Sequence, residues 1–319
     1  MQTITTLAEL RRALAEARRA NKRVGFVPTM GYLHDGRLAL IEASRAQCDI
    51  TVVSIFVNPT QFGPNEDLST YPRDFQRDEK LCRDAGVAVV FAPAAQEVYP
   101  AQFETFVEPG ELAKPLCGAL RRGHFRGVAT VVCKLFNMVQ PDVAFFGQKD
   151  FQQCAVVRRM AIDLDLPIEI VTVPTVREPD GLAMSSRNRY LNDDERRWAL
   201  AISRGLFAAA DAFRSGERSA KELVAIAKWH LEAVVGLQYL ELFDCDTLKP
   251  AESPLHRPAA LCVAASWGKQ QPVAGTASAI TQSLPKKAWN RSASGEGTKG
   301  PRWPMVRRFA GRVGLLTPT

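Results

Sequence analysis

The chain has 319 residues, of which 46% are hydrophobic and 24% are charged. These proportions are typical of a soluble globular protein. The sequence contains no run of eighteen apolar residues, which excludes a transmembrane helix, and its first residues lack the apolar stretch of a secretory signal.

The net charge of +7 is unevenly distributed along the chain. Residues 268–319 carry nine basic residues and one acidic residue, whereas the rest of the chain carries 32 basic and 33 acidic residues. This composition predicts a disordered, solvated basic tail. A basic tail can also bind nucleic acid, so we expect any nucleic-acid binding only through this segment.

Seven cysteines are scattered through the sequence, and no two of them form a CxxC pair. Most of them lie inside apolar runs. We therefore expect reduced, buried thiols and a cytoplasmic location. The four histidines do not stand at ligand spacing from any cysteine, so a zinc site is not expected.

In chain order, Thr6 and Glu9 form a capping box that predicts a helix extending to about Arg19. Strands and helices then alternate. Strands are predicted at residues 24–27, 50–57, 87–91, 143–146 and 168–176, with a further short one at 106–107. Helices are predicted to begin near Leu38 and at 73–85, 128–139 and 151–162, and residues 116–127 read as a basic loop.

This alternation predicts a Rossmann-like α/β fold with a doubly wound parallel sheet. Ligands of such sheets bind at the carboxyl ends of the strands, so the loops after Val27, Val57, Phe146 and Val176 should face one crevice. Beyond Val176, helices at 193–213 and 219–235 and strands at 237–243 and 259–265 predict a smaller α+β domain. We therefore divide the chain into residues 1–176, 177–267 and the tail 268–319.

Four separated segments carry the residues best suited to chemistry. They are PTMGYLHDGR (28–37), SIFVNPTQFGPNEDLSTYPR (54–73), FFGQKDFQQ (145–153) and VPTVREPDGLAMSSRNRYL (173–191). In the first segment, a buried strand leads through a glycine-containing loop into a helix, an arrangement that offers backbone N–H groups to a phosphate. Taken alone, such a strand, loop and helix are equally typical of ordinary α/β scaffolding.

Together these segments resemble the pantothenate synthetases, the pantoate–β-alanine ligases, over about residues 3–265. The resemblance implies a nucleotidyltransferase domain with an HxGH signature, a small C-terminal lid domain and a homodimer. It also implies that pantoate attacks the α-phosphate of ATP, and that β-alanine then displaces AMP from pantoyl adenylate. It further implies that magnesium accompanies the ATP.

The resemblance also assigns residues to the substrates. Residues of all but the second segment are implied to bind ATP: Met30, Gly31, His34, Arg37, Gly147, Gln148, Lys149, Asp150, Val176, Met184, Ser185, Ser186 and Arg187. Gln61 and Gln153 match the two pantoate-binding glutamines. Asn58 and the loop that contains Arg121 and His124 are further candidates near pantoate.

Chemistry supports these assignments. His34 and Lys149 are the candidate catalytic residues, because they can stabilise negative charge on a triphosphate. Asp150 could orient Lys149 or hold magnesium, and it could instead only cap the following helix. An amide such as that of Gln61 offers both donors and acceptors to a substrate with hydroxyls and a carboxylate.

The sequence departs from the family pattern at Arg37, which stands where the HxGH signature has its second histidine, the assigned proton donor. Arginine can hold a phosphate but cannot release a proton near neutral pH. We therefore expect slow adenylation. Two alternatives remain open: another nucleotidyltransferase that stops at the adenylate, and a non-catalytic nucleotide-binding relative whose tail binds nucleic acid.

Overall fold

The computed structural model describes residues 1–64 and 66–266, and the backbone of residues 279 and 280. Six parallel strands form the central sheet in the order β1-β4-β3-β2-β5-β6. They are β1 (Gln2–Ile4), β2 (Val24–Thr29), β3 (Ile50–Ile55), β4 (Val89–Phe91), β5 (Val143–Gly147) and β6 (Glu169–Val173). The prediction of a doubly wound parallel sheet is confirmed. Because the strand order reverses between β2 and β5, the crevice of this sheet lies where those two strands end.

Helices connect these strands and cover the two faces of the sheet. They are α1 (Leu7–Arg19), α2 (Asp35–Gln47), α3 (Phe75–Asp84), α4 (Ala95–Val98), α5 (Cys117–Leu120), α6 (His124–Val139) and α7 (Phe151–Asp163). Short 3-10 helices lie at Pro59–Gln61, Glu111–Ala113, Gln148–Asp150 and Ser186–Tyr190. The predicted capping box of α1 is confirmed, since Thr6 Oγ1 accepts from Glu9 N at 3.3 Å.

The central strands of the sheet are continuous apolar runs in the sequence because both of their faces are buried in the core. Phe26, Val52 and Phe145 are fully buried, because a parallel sheet is covered on both faces. The long apolar helix α6 packs beside β2, and Phe26 meets Phe136 of this helix edge to face at 6.4 Å between ring centroids. This packing fixes the ends of β2 and β5, from which the site is built.

The C-terminal part contains α8 (Asp193–Arg214), α9 (Ala220–His230) and an antiparallel sheet of β7 (Leu237–Asp244), β8 (Ala259–Ala265) and β9 (Ala279–Ile280). A separate hydrophobic cluster holds it together and includes the fully buried Leu206, Leu223 and Leu261. The boundary proposed at residue 176 stays a prediction. Apart from β9, the predicted basic tail lies outside the described residues.

Several details of the sequence prediction are wrong, and one is that the helix predicted at 219–235 ends at His230. Residues 116–127 are not one loop, because α5 lies there and α6 begins at His124, where Phe125 and Val128 continue a buried helical face. Residues 106–107 form no strand: the N–H of Val107 donates to Thr130 Oγ1 at 3.0 Å instead of to a neighbouring strand. The strand predicted at 168–176 ends at Val173, since Pro174 cannot donate to the ladder.

The structure also contains β1, which the sequence did not predict. This strand of three residues pairs with β4, with Thr3 opposite Val90. Among the described residues, no helix is long and apolar enough to cross a membrane.

Candidate active site

A cleft of about 890 Å³, its mouth included, opens at the carboxyl ends of β2 and β5. Thirteen of the sixteen predicted site residues line it: Met30, His34, Arg37, Gln61, Gly147, Lys149, Asp150, Gln153, Val176, Met184, Ser185, Ser186 and Arg187. The structure thus brings together residues from all four sequence segments. Gly31, Asn58 and Gln148 do not line this cleft.

The loop between β2 and α2 is shaped by Gly31 and Asp78. Gly31 has φ +81°, a conformation that favours glycine, and a Cβ there would lie 2.9 Å from Asp78 Oδ2. The buried Asp78 carboxylate accepts from Tyr32 N at 2.6 Å and from Leu33 N at 2.7 Å. Burial raises the pKa of Asp78, and these two N–H donors oppose the rise. Gly31 therefore shapes the loop rather than the wall of the cleft.

Sequence reasoning missed Asp78, although a signal was present. Asp78 stands four residues before the buried Cys82 in α3, so it lies on the apolar face of that helix. A carboxylate at such a position needs strong donors, because burial disfavours its charged form. The N–H groups of the β2–α2 loop supply them.

His34 occupies the N-cap position of α2, yet its side chain makes no capping hydrogen bond. Its Nδ1 atom is buried and has no hydrogen-bond partner among the described residues. Burial, and then the positive charges of Arg37 and Lys149, lower the pKa of His34 to about 4. A Cβ at Gly36 would lie 2.9 Å from His34 Cε1, so the glycine leaves room for the ring. His34 is therefore a neutral imidazole at the start of a helix.

A cluster of cations surrounds Asp150. Lys149 Nζ lies 3.7 Å from Asp150 Oδ1, and Arg37 and Arg187 line the same cleft. Burial lowers the pKa of Lys149. Burial alone would raise the pKa of Asp150, but Lys149, Arg37 and Arg187 outweigh it and hold that pKa below its usual value. Positive charge in excess of one carboxylate suits a polyanionic ligand.

The sequence also allowed Asp150 to serve only as the cap of α7. It does occupy the N-cap position of that helix, but its side chain makes no capping hydrogen bond among the described residues. The carboxylate instead faces Lys149. These contacts argue against the capping role and leave both orientation of the lysine and binding of magnesium open to Asp150.

Residues 174–176 and 184–187 form one wall of the cleft. Met184 N donates to Val176 O at 3.0 Å, which closes a short hairpin. Asn188 Nδ2 donates to Glu178 Oε1 at 2.6 Å and to Ala183 O at 3.0 Å, and this fixes the segment that follows Met184. Ser185, Ser186 and Arg187 are thereby presented to the cleft.

A second cavity of about 490 Å³, its mouth included, adjoins the cleft, and more of its lining residues are apolar than polar. Its apolar walls are Phe56, Val128, Val131, Val132, Leu135 and Phe146. Met30, Arg37, Gln61 and Gln153 line both cavities. A ligand with a branched aliphatic part and polar ends would fit the apolar cavity while reaching the cleft.

Arg37 and Gln153 have no side-chain hydrogen bond or ion pair among the described residues. Both therefore have their donors available at the junction of the two cavities. Asn58 differs, because it is 1% exposed and its amide groups bond to protein atoms. It lines only the apolar cavity of the two. Direct contact between Asn58 and a substrate is less favoured than the sequence suggested.

The side chains that could hold the predicted magnesium ion are few. Among residues 1–64 and 66–266, no three His, Cys, Asp or Glu side chains lie close enough together to hold a metal ion. Within that part of the chain, Asp150 is the one carboxylate that lines the cleft. Magnesium usually binds through one or two carboxylates together with substrate phosphates, and one carboxylate fits that pattern.

Comparison with known proteins gives consistent matches. The family model of pantoate-beta-alanine ligase matches residues 2–273. Pantothenate synthetase 1 of Bradyrhizobium diazoefficiens is 76% identical over 268 residues, which are 84% of this chain and 95% of that protein. The pantothenate synthetase of Moorella thermoacetica is 53% identical over 254 residues, or 79% of this chain and 90% of that protein.

Solved structures agree with these matches. The crystal structure of pantothenate synthetase from Thermus thermophilus has a TM-score of 0.81 at 46% identity and covers 86% of this chain and 98% of its own. A pantoate-beta-alanine ligase from Francisella tularensis, complexed with beta-gamma ATP and beta-alanine, has a TM-score of 0.66 at 30% identity. It covers 86% of this chain and 97% of its own.

Proposed function

Because the chain belongs to the pantoate–β-alanine ligase family, we propose that its two joined cavities hold ATP and pantoate for the ATP-dependent synthesis of pantothenate. The chain is thus an AMP-forming ligase that makes a C–N bond. The observation that carries the assignment of substrates is the junction itself. A cationic cleft meets an apolar cavity, and Arg37, Gln61 and Gln153 line both.

In the first step, a carboxylate oxygen of pantoate attacks the α-phosphorus of ATP. The bond between this phosphorus and the oxygen that bridges it to the β-phosphate breaks. Pyrophosphate leaves with the electron pair. Two anions must approach each other, so the step requires positive charge at the junction. Lys149 and Arg37 supply this charge, while the neutral His34 ring can donate a hydrogen bond to a phosphate oxygen.

In the second step, the amine of β-alanine attacks the acyl carbon of pantoyl adenylate. The bond between this carbon and the phosphate oxygen breaks, AMP leaves, and the amine loses a proton. Pantoyl adenylate reacts readily with water, so the walls formed by residues 174–176 and 184–187 and by Phe62 and Tyr71 must keep water away from it.

Arg37 determines how well the first step proceeds. Its guanidinium can hold an anion from either cavity, but it cannot give a proton to the departing pyrophosphate near neutral pH. Slow adenylation therefore remains our prediction for this chain, and the Arg37→His variant tests it.

Further features of the family remain proposals here. Magnesium would accompany the ATP phosphates, and Asp150 would be its protein ligand; the metal would neutralise part of the phosphate charge. We also propose a homodimer in the cytoplasm, and closure of residues 177–267 over the cleft.

AMP formation from ATP, pantoate and β-alanine by the purified chain tests the function. We expect AMP only when both pantoate and β-alanine are present. ATP–pyrophosphate exchange that depends on pantoate, without AMP release on adding β-alanine, would instead indicate an enzyme that stops at the adenylate. No reaction by either the chain or its Arg37→His variant would contradict the ligase.

A further inference from the structure

Hydrogen bonds from neighbouring residues hold both the backbone carbonyl and the side-chain amide of Gln61. Its backbone carbonyl accepts from His124 Nδ1 at 2.9 Å and from Arg121 Nη2 at 3.3 Å. Its side-chain Oε1 accepts from Asn58 Nδ2 at 3.1 Å. These contacts use the oxygen atoms of Gln61 and leave its amide N–H groups for the cavities that it lines.

The orientation of Asn58 decides the orientation of the Gln61 amide. Asn58 Oδ1 accepts from Tyr99 Oη at 2.8 Å, from Thr60 Oγ1 at 3.0 Å and from Thr60 N at 3.4 Å. Its Nδ2 donates to Gly127 O at 3.1 Å. Rotating the amide by half a turn would set Nδ2 against the N–H of Thr60 and Oδ1 against the carbonyl oxygen of Gly127, so the observed orientation satisfies the network best.

Tyr99 acts as a donor in this network. Burial raises the pKa of its hydroxyl, which therefore stays protonated at physiological pH. Tyr99 lines neither of the two joined cavities. It can influence a ligand there only through its neighbours.

The other end of Gln61 is held by three linked side chains. Glu66 accepts from Arg121 Nε at 2.8 Å and from Arg121 Nη2 at 2.6 Å. Arg121 Nη1 in turn lies 3.1 Å from His124 Nε2. Burial lowers the pKa of His124 to about 4, so its ring is neutral, and its Nδ1–H donates to Gln61 O.

Gly127 of α6 lies close against the backbone of Thr60 and Gln61. A Cβ at Gly127 would lie 2.4 Å from Thr60 O and 2.6 Å from Gln61 Cα. The first turn of α6 therefore presses directly against the 3-10 helix that carries Gln61. Only glycine allows this approach.

We propose that Asn58, held by Tyr99, and the cluster of Glu66, Arg121 and His124 are positioning residues that fix Gln61 so that it presents only N–H donors to pantoate. The inference rests on the proposed function, since it concerns pantoate. It assigns to Gln61 the recognition of an acceptor oxygen, either of the carboxylate or of a hydroxyl lone pair. Arg121 and His124 thus act through Gln61 rather than as catalysts.

The Tyr99→Phe variant is the first test, because it removes one donor to Asn58 and keeps the ring. The measurement is pantoate-dependent ATP–pyrophosphate exchange, with KM determined for both substrates. We expect the KM for pantoate to rise about threefold to tenfold, and the KM for ATP to stay within about twofold. Equal changes in both constants, or no change, would overturn the proposal.

His124 provides an independent test. In His124→Asn, the Nδ2 group can replace the Nδ1–H donor, whereas in His124→Gln the amide is displaced by one bond. We expect His124→Gln to raise the KM for pantoate on the order of tenfold. In His124→Asn, the KM for pantoate should stay close to that of the unaltered chain. The exposed His256→Gln serves as the matched control, and thermal unfolding confirms that each variant folds.

A double-mutant cycle separates positioning from direct contact. If His124 acts through Gln61, then His124→Gln should add nothing to the KM for pantoate once Gln61→Ala has removed the side chain. Additive effects would show that His124 acts on pantoate independently, and would refute the positioning role. Loss of exchange in the unaltered chain is a different outcome, because it would contradict the proposed function itself.

Discussion

Arg187, which lines the cleft, forms a two-pronged ion pair with Asp67. Arg187 Nε lies 3.1 Å from Asp67 Oδ2, and Nη2 lies 3.1 Å from Oδ1. Both side chains are about one-fifth exposed. A carboxylate therefore occupies one edge of the guanidinium that the resemblance assigns to ATP, so we expect the phosphates of ATP to compete with it.

We predict that Asp67→Asn lowers the KM for ATP by about twofold to tenfold, because the amide competes less well for Arg187. Steady-state kinetics with varied ATP measure this. Asp163→Asn is the matched control, since Asp163 pairs with Arg159 on the surface of α7. A higher KM for ATP in Asp67→Asn would show that Asp67 instead orients Arg187 for the nucleotide.

We predict that Lys149→Met lowers the rate of pantoate-dependent ATP–pyrophosphate exchange by about a hundredfold to a thousandfold. The reason is that one preorganised positive charge next to the developing negative charge is lost. The exposed Lys114→Met is the control. Thermal unfolding should show a folded variant, and a rate within about threefold of the unaltered chain would exclude Lys149 from catalysis.

We predict that stability depends on pH through His34. The folded-state pKa of about 4 lies below the ordinary value of 6.5, so the unfolded chain binds the proton more readily. The stability that the neutral ring provides is therefore present above pH 6.5 and is lost as the pH falls towards 4. Urea unfolding across this range should show a loss of about 3 kcal/mol that His34→Gln lacks.

The exposed His256→Gln is the control for this measurement, because it keeps His34 in place. Identical pH dependence in His34→Gln and in the unaltered chain would contradict the assigned pKa. His124, whose pKa is also about 4, contributes equally to both proteins and so does not disturb the comparison.

We predict that Arg37→His increases the rate of AMP formation, by as much as about 10²–10⁴-fold if a proton donor limits the first step. Histidine can release a proton near neutral pH, whereas arginine cannot. Arg37→Lys is the comparison, since lysine keeps the charge but remains a poor acid at this pH. A gain in the lysine variant, or none in the histidine variant, would show that proton donation is not what Arg37 lacks.

The sequence by itself determined the fold class and most of the site. Its apolar runs and their spacing fixed the parallel strands and the covering helices, because burial on both faces requires such runs. The four motifs identified His34, Lys149, Gln61, Gln153 and the segment Ser185–Arg187, and all of them line one cleft. The roles of these residues came from the resemblance of whole motifs to a family, because a single amide or histidine in a local pattern does not define its ligand.

Only the tertiary structure decided which groups hold those residues in place. Asp78 lies 46 positions from Tyr32, and Asp67 lies 120 positions from Arg187, so no local pattern connects either pair. The sequence made Asn58 a candidate ligand of pantoate, whereas its hydrogen bonds to Gln61 and Tyr99 favour a role as a support of Gln61. Hydrogen bonds and ion pairs depend on distances of about 3 Å between atoms that only the folded chain brings together.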